Sequence, residues 1–405
     1  MEKWFDFKGR GTNASTEVIA GITTFITMVY IAIVNPAILS KTGMDFNGVF
    51  VATILATMIG TLIMGVFSNY PIAIAPGMGL NSFFAFAVVL ALGITWQKAL
   101  GAVFIASLIF LVLSFTKFRN VLINSIPESL KHSITAGIGL FIPFIGLQGS
   151  KIIVDSPATL VTFGHASDPV VLLTIFNLFV TVVLMMFNVR GNIFIGMVIT
   201  AIIALFNGMI TLPPSLFVWP TGLEHTAMQM DIKGVFDDNL YAIIFTFFLI
   251  TLFDTTGTMI GIAEQAGLIK DGKFPRIKSA LLADAVGSTV GAMLGTSPTS
   301  AYIESGAGVA VGGRTGFSSV VVALLFGLLL FCAPLAQMLA SIPAITAPAL
   351  IIVGFLMMSS LRNIDWNDFE ESFPAFLIVF LMPLSYSIAI GIGIGFIIYP
   401  LLKII

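Results

Sequence analysis

The chain has 405 residues, 58% of them hydrophobic and only 9% charged, with a formal net charge of −2 and a mean hydropathy of +1.06. A soluble domain carries roughly 25% charged residues, so this composition excludes a water-facing fold and describes an all-α polytopic membrane protein. The small net charge says nothing about partners, and no basic run points to nucleic acid.

The opening stretch, MEKWFDFKGRGTNASTE, is polar and lacks the short apolar core and small-residue cleavage site of a signal peptide. Apolar runs come next, at roughly 17–40, 46–69, 78–92, 99–116, 127–148, 169–187, 192–209, 239–262, 279–295, 302–313, 316–340, 346–361, 372–385 and 387–403. At about 20 residues per span the length accommodates roughly 12–14 crossings, and the pattern predicts fourteen transmembrane segments.

The third and tenth runs are short, and each comes after a proline-containing stretch, IAIAPGMG and GTSPTSA. Proline disfavours helix in the residue before it, and glycine loosens the backbone around it. The spacing therefore predicts short extended stretches leading into half-helices 3 and 10 inside the membrane. Pro76 and Pro298 are about 222 residues apart, at matching places in two sets of seven segments. Paired interrupted segments of this kind point to a transporter binding site. An odd number of segments per half inverts the second. The expected division is 1–210 for the first inverted repeat, 211–238 for an extracellular connection and 239–405 for the second repeat.

Fourteen segments put both termini on one face. Lys3, Lys8, Arg10, Lys117, Arg119, Lys131, Arg190, Lys270, Lys273, Arg276, Lys278, Arg314, Arg362 and Lys403 fall on that face, against Lys41, Lys98, Lys151 and Lys233 on the other. The positive-inside rule then predicts cytoplasmic termini in a cell-membrane protein. Glu224, His225 and Asp231 in the long connection read as solvated loop residues.

The chemistry keeps the same order along the chain. Glu17, Thr23, Thr24, Thr27, Tyr30 and Asn35 make the first segment unusually polar. Hydroxyls between membrane helices are common glue, so support is the first reading for them and ligand contact the second. Asn81 opens half-helix 3, with Gly77 and Gly79 leaving the backbone before it uncovered; close helix packing is the plainer role for those glycines. Asp254 lies deep in YAIIFTFFLITLFDTTGTMIGIAE, with Thr251, Thr255 and Thr258 at helical neighbour spacing. An ionisable group at that depth is costly and marks a substrate or ion pathway. Asp284 is another intramembrane acid, read as support. Glu304 falls in the first turn expected for half-helix 10, where free amides and the helix dipole favour a carboxylate. Phe83, Phe84, Phe253 and Tyr302 flank these polar groups, and one of them is expected to stack on a flat ligand.

Cys332 sits alone in an apolar run, and His132, His165 and His225 share no metal-ligand spacing. No nucleophile–base pair or metal cluster suggests an enzyme, and no cofactor is implied. Two acids and an amide without a nearby Lys or Arg disfavour an anion. Carboxylates pair with N–H donors on heterocycle edges, so a small planar heterocycle fits, as does a metal cation or an amine.

The segments GITTFITMVYIAIVNPAIL, APGMGLNSFFAF, TLFDTTGT, ADAVGSTVGAMLGTSPTSAYIESGAG and GGRTGFSSVVVALLF together resemble the AzgA-like purine permeases, a branch of the nucleobase:cation symporter-2 and nucleobase–ascorbate transporter superfamily. The resemblance runs from about residue 3 to residue 403. It implies a core domain from segments 1–4 and 8–11 and a gate domain from segments 5–7 and 12–14. It also implies a secondary active transporter that imports hypoxanthine, guanine or adenine with protons as the coupling ion, by alternating access.

On the matching motifs, Asp254 and Glu304 are the substrate-binding acids, Asn81 and Gly79 the third-segment contact, and Asp284 the ninth-segment acid. Thr258 and Tyr302 join the expected substrate set; Asp254, Glu304, Asp284 and Thr27 form the expected proton-coupling and support set. The expected partners are a purine nucleobase and the lipid bilayer, and a homodimer through the gate segments stays open as an assembly. The alternatives are an anion carrier of the sulfate/bicarbonate type and a non-purine nucleobase symporter for uracil or xanthine.

Overall fold

The computed structural model describes residues 2–116, 126–269 and 275–404. Lys117, Arg119, Lys270 and Lys273 of the basic set lie outside these described residues.

The chain is predominantly helical, as lipid demands, since a helix satisfies its backbone groups within itself. Among the described residues nine helices are long and apolar enough to cross a membrane, and Met78–Ala91, Asn192–Phe206 and Ile388–Ile404 are shorter apolar helices. The two remaining apolar runs coincide with Ser305–Ala310 and Phe369–Leu384. Large apolar side chains such as Phe179, Phe206, Leu328 and Phe355 are exposed on the outer surface, the arrangement expected of a molecule solvated by acyl chains rather than water.

Four short strands complete the fold: β1 (Ile74–Pro76), β2 (Ile153–Ser156), β3 (Leu160–Phe163) and β4 (Thr299–Ala301). The first and last are the two proline-containing stretches. They pair antiparallel, Ile74 opposite Ala301, Ala75 opposite Ser300 and Pro76 opposite Thr299. Gly77 N donates to Pro298 O at 3.0 Å and Tyr302 N to Ala73 O at 3.0 Å, extending the ribbon at both ends. This ribbon is fully buried, and neighbouring hydroxyls satisfy its edges. Ile74 N donates to Thr61 Oγ1 (2.9 Å), Ala73 N to Ser305 Oγ (3.0 Å) and Thr299 N to Ser288 Oγ (2.8 Å). Helix-lined hydroxyls thus do the work that water would do for a surface hairpin.

Three details differ from the sequence expectation. The helix after β4 is six residues long, Ser305–Ala310, shorter than the run at 302–313, because residues 301–304 are spent on leaving the ribbon. Half-helix 3 begins as α-helix at Met78–Ser82 and continues with π-type winding over Phe83–Ala91. The hairpin β2–β3 is exposed and shows no alternating pattern that announces it.

Helix packing falls into two groups. Glu128–Gly149 packs on Pro343–Met357 and Phe369–Leu384, which in turn packs on Ile388–Ile404; Pro169–Met186 pairs with Asn192–Phe206 and leans on Pro343–Met357. In the other group Ile277–Leu294 lies against Phe46–Ile63 and Trp96–Phe115, Gly316–Leu329 lies against Ala14–Met28, and Tyr241–Gln265 lies against Trp96–Phe115.

Two basic side chains of the set are tied down by local partners. Arg10 Nη1 donates to Asn69 O (2.6 Å) and Arg314 O (2.9 Å). Lys403 pairs with Glu370 (2.7 Å) and Glu371 (3.1 Å), and Glu371 also accepts from Ser129 and from Tyr399.

Candidate functional site

A cavity of about 600 Å³ lies between the two groups of helices, within the range of roughly 300–1,000 Å³ usual for small-molecule sites. One wall is built by Tyr241–Gln265, β4 and the turn after it; the facing wall comes from the start of Glu128–Gly149 and from Val353–Asn363. Glu128, Lys131, His132, Gln265, Ser360 and Asn363 line its mouth. At the far end of helix Glu128–Gly149 the groups meet through rings. Tyr386 contacts Phe86, Phe141 and Phe144 at centroid distances of 6.5, 5.5 and 6.2 Å, and its hydroxyl reaches Gln148 Oε1 at 3.1 Å.

Asp254 and Glu304 both line the cavity, half-buried. The Ser300 hydroxyl lies beside the Asp254 carboxylate. Glu304 departs from the expected helix-start role. It occupies the residue before Ser305–Ala310, in helical backbone conformation, and its side chain makes no capping bond. Its Oε1 instead accepts from the Tyr30 hydroxyl at 2.5 Å, and its carbonyl oxygen lies 3.4 Å from Thr27 Oγ1. The first segment, broken between Ala14–Met28 and Ile31–Leu39, therefore grips residue 304 at two points. The Thr27 hydroxyl also bonds back to its own helix, at Thr24 O (2.8 Å) and Thr23 O (3.0 Å).

The threonine stripe around Asp254 divides. Thr258 lines the cavity with Asp254, whereas Thr255 turns away and donates to Asp284 Oδ2 at 2.6 Å. Asp284 is fully buried, lies outside the cavity lining, and takes its second bond from Thr299 Oγ1 at 2.8 Å. It ties Tyr241–Gln265 to β4. Removing one partner from a buried network of this kind strands the others at a cost of about 1–3 kcal/mol.

Gly79 lines the cavity, and a Cβ there would lie 2.7 Å from Ile138 Cγ2; close packing and access to a ligand are both served by the missing side chain. Asn81 is placed elsewhere. It is fully buried, outside the cavity lining, and its Nδ2 donates to Asn35 Oδ1 at 3.0 Å. Asn35 in turn donates to Thr53 (2.7 Å) and Thr296 (2.8 Å) and accepts from Ser297 (3.3 Å). The amide at position 81 is thus committed to the support of both broken segments.

Among the four flanking aromatics, Phe253 and Tyr302 line the cavity. Tyr302 is anchored by its hydroxyl on Pro76 O at 2.6 Å. Phe83 and Phe84 pack against Phe247 instead.

Tyr30 and Ser300 are the site neighbours that motif reading passed over as ligand-shell residues. Ser300 was legible as the strand residue two before Tyr302. Tyr30 was visible only as one of six polar groups in its segment. Lys131, 2.7 Å from Glu128, is the lysine among the lining residues, and it stands at the mouth. The cavity floor is therefore acidic and otherwise neutral. Among the described residues, no group of three or more His, Cys, Asp or Glu side chains could hold a metal ion.

The fold that holds this cavity is shared with known proteins. The transmembrane domain of the cyanobacterial bicarbonate transporter BicA superimposes with a TM-score of 0.70 at 13% identity, covering 95% of this chain and 97% of that one; at that identity the likeness is one of fold. The guanine/hypoxanthine permease PbuO of Bacillus subtilis (strain 168) is 52% identical over 404 residues, spanning 98% of this chain and 94% of that protein. The adenine permease AdeP of Escherichia coli (strain K12) is 46% identical over 411 residues, spanning 100% of this chain and 90% of its own. The family model Xan_ur_permease, described as a permease family, matches residues 15–394, and the chain belongs to that family of membrane transporters.

Proposed function

We propose that this permease imports purine nucleobases, hypoxanthine and guanine before adenine, together with protons. The observation that carries the reading is the convergence of Asp254 and Glu304 on one cavity whose floor holds no basic side chain. Carboxylates accept from ring N–H groups and from an exocyclic amine, while Tyr302 and Phe253 supply faces against which a flat base can lie. The sequence relatives are purine permeases by name, which favours this class over pyrimidines. The fold shared with a bicarbonate transporter gives no support to an anion, since two carboxylates would repel it.

Accumulating a neutral base uphill requires a coupled ion. Two acids without a fixed counter-charge suit a proton, exchanged at Asp254 or Glu304. The helices within 14–115 and 241–340 act as a core that carries the site, and those within 128–206 and 343–404 as a gate, in two inverted sets of seven. The mouth beside Lys131 and Asn363 is the cytoplasmic opening, and the Tyr386 ring cluster closes the outer side.

The test is uptake of labelled hypoxanthine into cells stripped of their own purine permeases. Uptake should saturate, guanine should compete and uracil should not. It should rise as external pH falls and collapse with an uncoupler. Strict sodium dependence without a pH response rejects proton coupling, and preference for uracil rejects the purine assignment.

Orientation is checked separately. In a Cys332→Ala background, a cysteine at His225 should react with an impermeant maleimide in whole cells, and one at Arg362 only after permeabilisation. Equal labelling of both in whole cells rejects the inverted arrangement.

A further inference from the structure

A second cavity lies away from the two acids. It measures about 290 Å³ and is walled by the first segment at residues 29–33, by Phe50, by residues 194–205 and by residues 329–339. Among the described residues every side chain that lines it is apolar, Cys332 included by its weakly polar thiol. The floor is deep, with Val29, Ala32, Ile33 and Phe50 exposed by 4%, 2%, 4% and 1%. The rim is shallow: Ile202 is 47% exposed, and Leu205, Cys332 and Leu335 are half-buried. Phe206 and Leu328, next along the chain from two lining residues, belong to the exposed apolar surface. The cavity therefore opens sideways onto the surface that acyl chains cover.

A packed interior leaves few voids larger than a water molecule, and an apolar cavity of about 150 Å³ already stays dry and takes apolar guests. A nucleobase would bury its N–H and carbonyl groups here without partners. A second copy of this chain would present a helix about 10–12 Å across, too broad to follow the recess down to Phe50. A single acyl chain is slender and flexible, and the bilayer supplies it at the rim. Contact rather than dehydration draws it in, since lipid tails and cavity wall are equally apolar. The rim also lies near one face of the membrane. Val218 N donates to Phe331 O at 2.9 Å, and the rings of Trp219 and Phe331 are 5.5 Å apart, beside Cys332. Trp219 is exposed, as tryptophan is in the belt where membrane meets water.

We propose that this cavity binds one acyl chain of a phospholipid, from the leaflet on the side of the 210–238 connection, as a spacer between the first segment and helix Asn192–Phe206. The spacer role rests on the core-and-gate reading above, which puts those two elements on opposite sides of the moving boundary. The helix then slides along a fluid chain instead of interlocking with the first segment. A side chain fixed in the cavity removes that freedom and slows turnover without touching the base site.

The experiment reconstitutes the protein in liposomes of phosphatidylcholine with a diazirine in one acyl chain, irradiates, and maps the adducts by mass spectrometry. Wild type should carry adducts on the buried floor at Val29–Ile33 and Phe50. Ala201→Phe and Ala336→Phe fill the cavity from opposite walls; both should lose the floor adducts and keep those at exposed Phe179. In the same liposomes both should show a lower maximal rate of hypoxanthine uptake with KM unchanged. Wild-type adducts confined to the outer surface overturn the proposal, as do floor adducts that persist in the filled variants. Efficient joining of two copies through Cys332 by a short bismaleimide assigns the rim to a second copy and overturns it too. An unchanged maximal rate in both variants overturns the spacer role. The wild-type adduct map decides the site even if neither variant folds. Floor adducts in a wild type that takes up no purine reject the purine reading and leave the lipid site standing.

Discussion

Asp254→Asn and Glu304→Gln are each expected to lower hypoxanthine uptake at least about tenfold while the protein still reaches the membrane. Both side chains line the cavity half-buried. Each substitution keeps size and shape but replaces one acceptor oxygen by an N–H donor. Where the base offers N–H, donor then faces donor, and a buried polar group goes unpaired; that costs about 1–3 kcal/mol and more when a charge is involved, which is about tenfold for each 1.4 kcal/mol. Glu304→Gln also turns the Tyr30 contact into a choice between two amide orientations. Glu264 is the control. It is exposed, lies outside the cavity lining and is on the same helix as Asp254, so Glu264→Gln should stay within about 0.5 kcal/mol of wild type. Uptake is measured against the amount of each variant in the membrane. Normal transport by both acid variants would remove the site assignment.

The sequence made the acids and the broken stretches legible for different reasons. Asp254 and Glu304 stand out because an ionisable group among apolar neighbours needs a cause. Pro76 and Pro298 stand out because each falls in a stretch of small residues, where proline disfavours helix in the residue before it. The pairing of β1 with β4 was not legible, since three residues per strand carry no period and the partners are more than 200 positions apart.

The fate of individual polar groups was legible only in part. Thr255 and Thr258 both neighbour Asp254 on the helix, and only the packing of Ile277–Leu294 against β4 decides that Thr255 serves Asp284 while Thr258 faces the cavity. Asn81 reads from the sequence as a ligand contact. Its commitment to Asn35 depends on the first segment passing beside half-helix 3, a fact of tertiary structure that no local pattern encodes. The hairpin β2–β3 escaped notice because Leu160 and Phe163 are exposed at 83% and 60%; its apolar residues mark no buried face.

The other large effect concerns the crossing that places the ribbon. Gly65 and Gly316 meet backbone to backbone: a Cβ on Gly316 would lie 1.9 Å from Gly65 O, and one on Gly65 would lie 2.6 Å from Gly316 O. No rotamer relieves a clash between a Cβ and a main-chain oxygen, so Gly316→Ala must push the two segments apart. Beside this contact Gly316 N donates to Asn69 Oδ1 at 2.7 Å, and Ser319 Oγ, one turn on, donates to Tyr70 O (2.7 Å) and Ile72 O (3.1 Å). Those bonds hold the chain that enters β1, and β1 holds β4 and the turn bearing Glu304. Overpacking a filled interior costs about 1–3 kcal/mol and occasionally more; with backbone on both sides, Gly316→Ala is expected at or above the upper end. Its yield of monodisperse protein in detergent should fall severely, and the surviving fraction should melt well below wild type and bind hypoxanthine weakly. Gly393→Ala is the matched control, a helical glycine whose Cβ would meet nothing within 4 Å. Alanine there should be neutral or slightly stabilising, because glycine is the poorer helix former by about 1 kcal/mol. Equal yield and equal melting of the two variants would show that the crossing is not what holds the ribbon in register beneath the site.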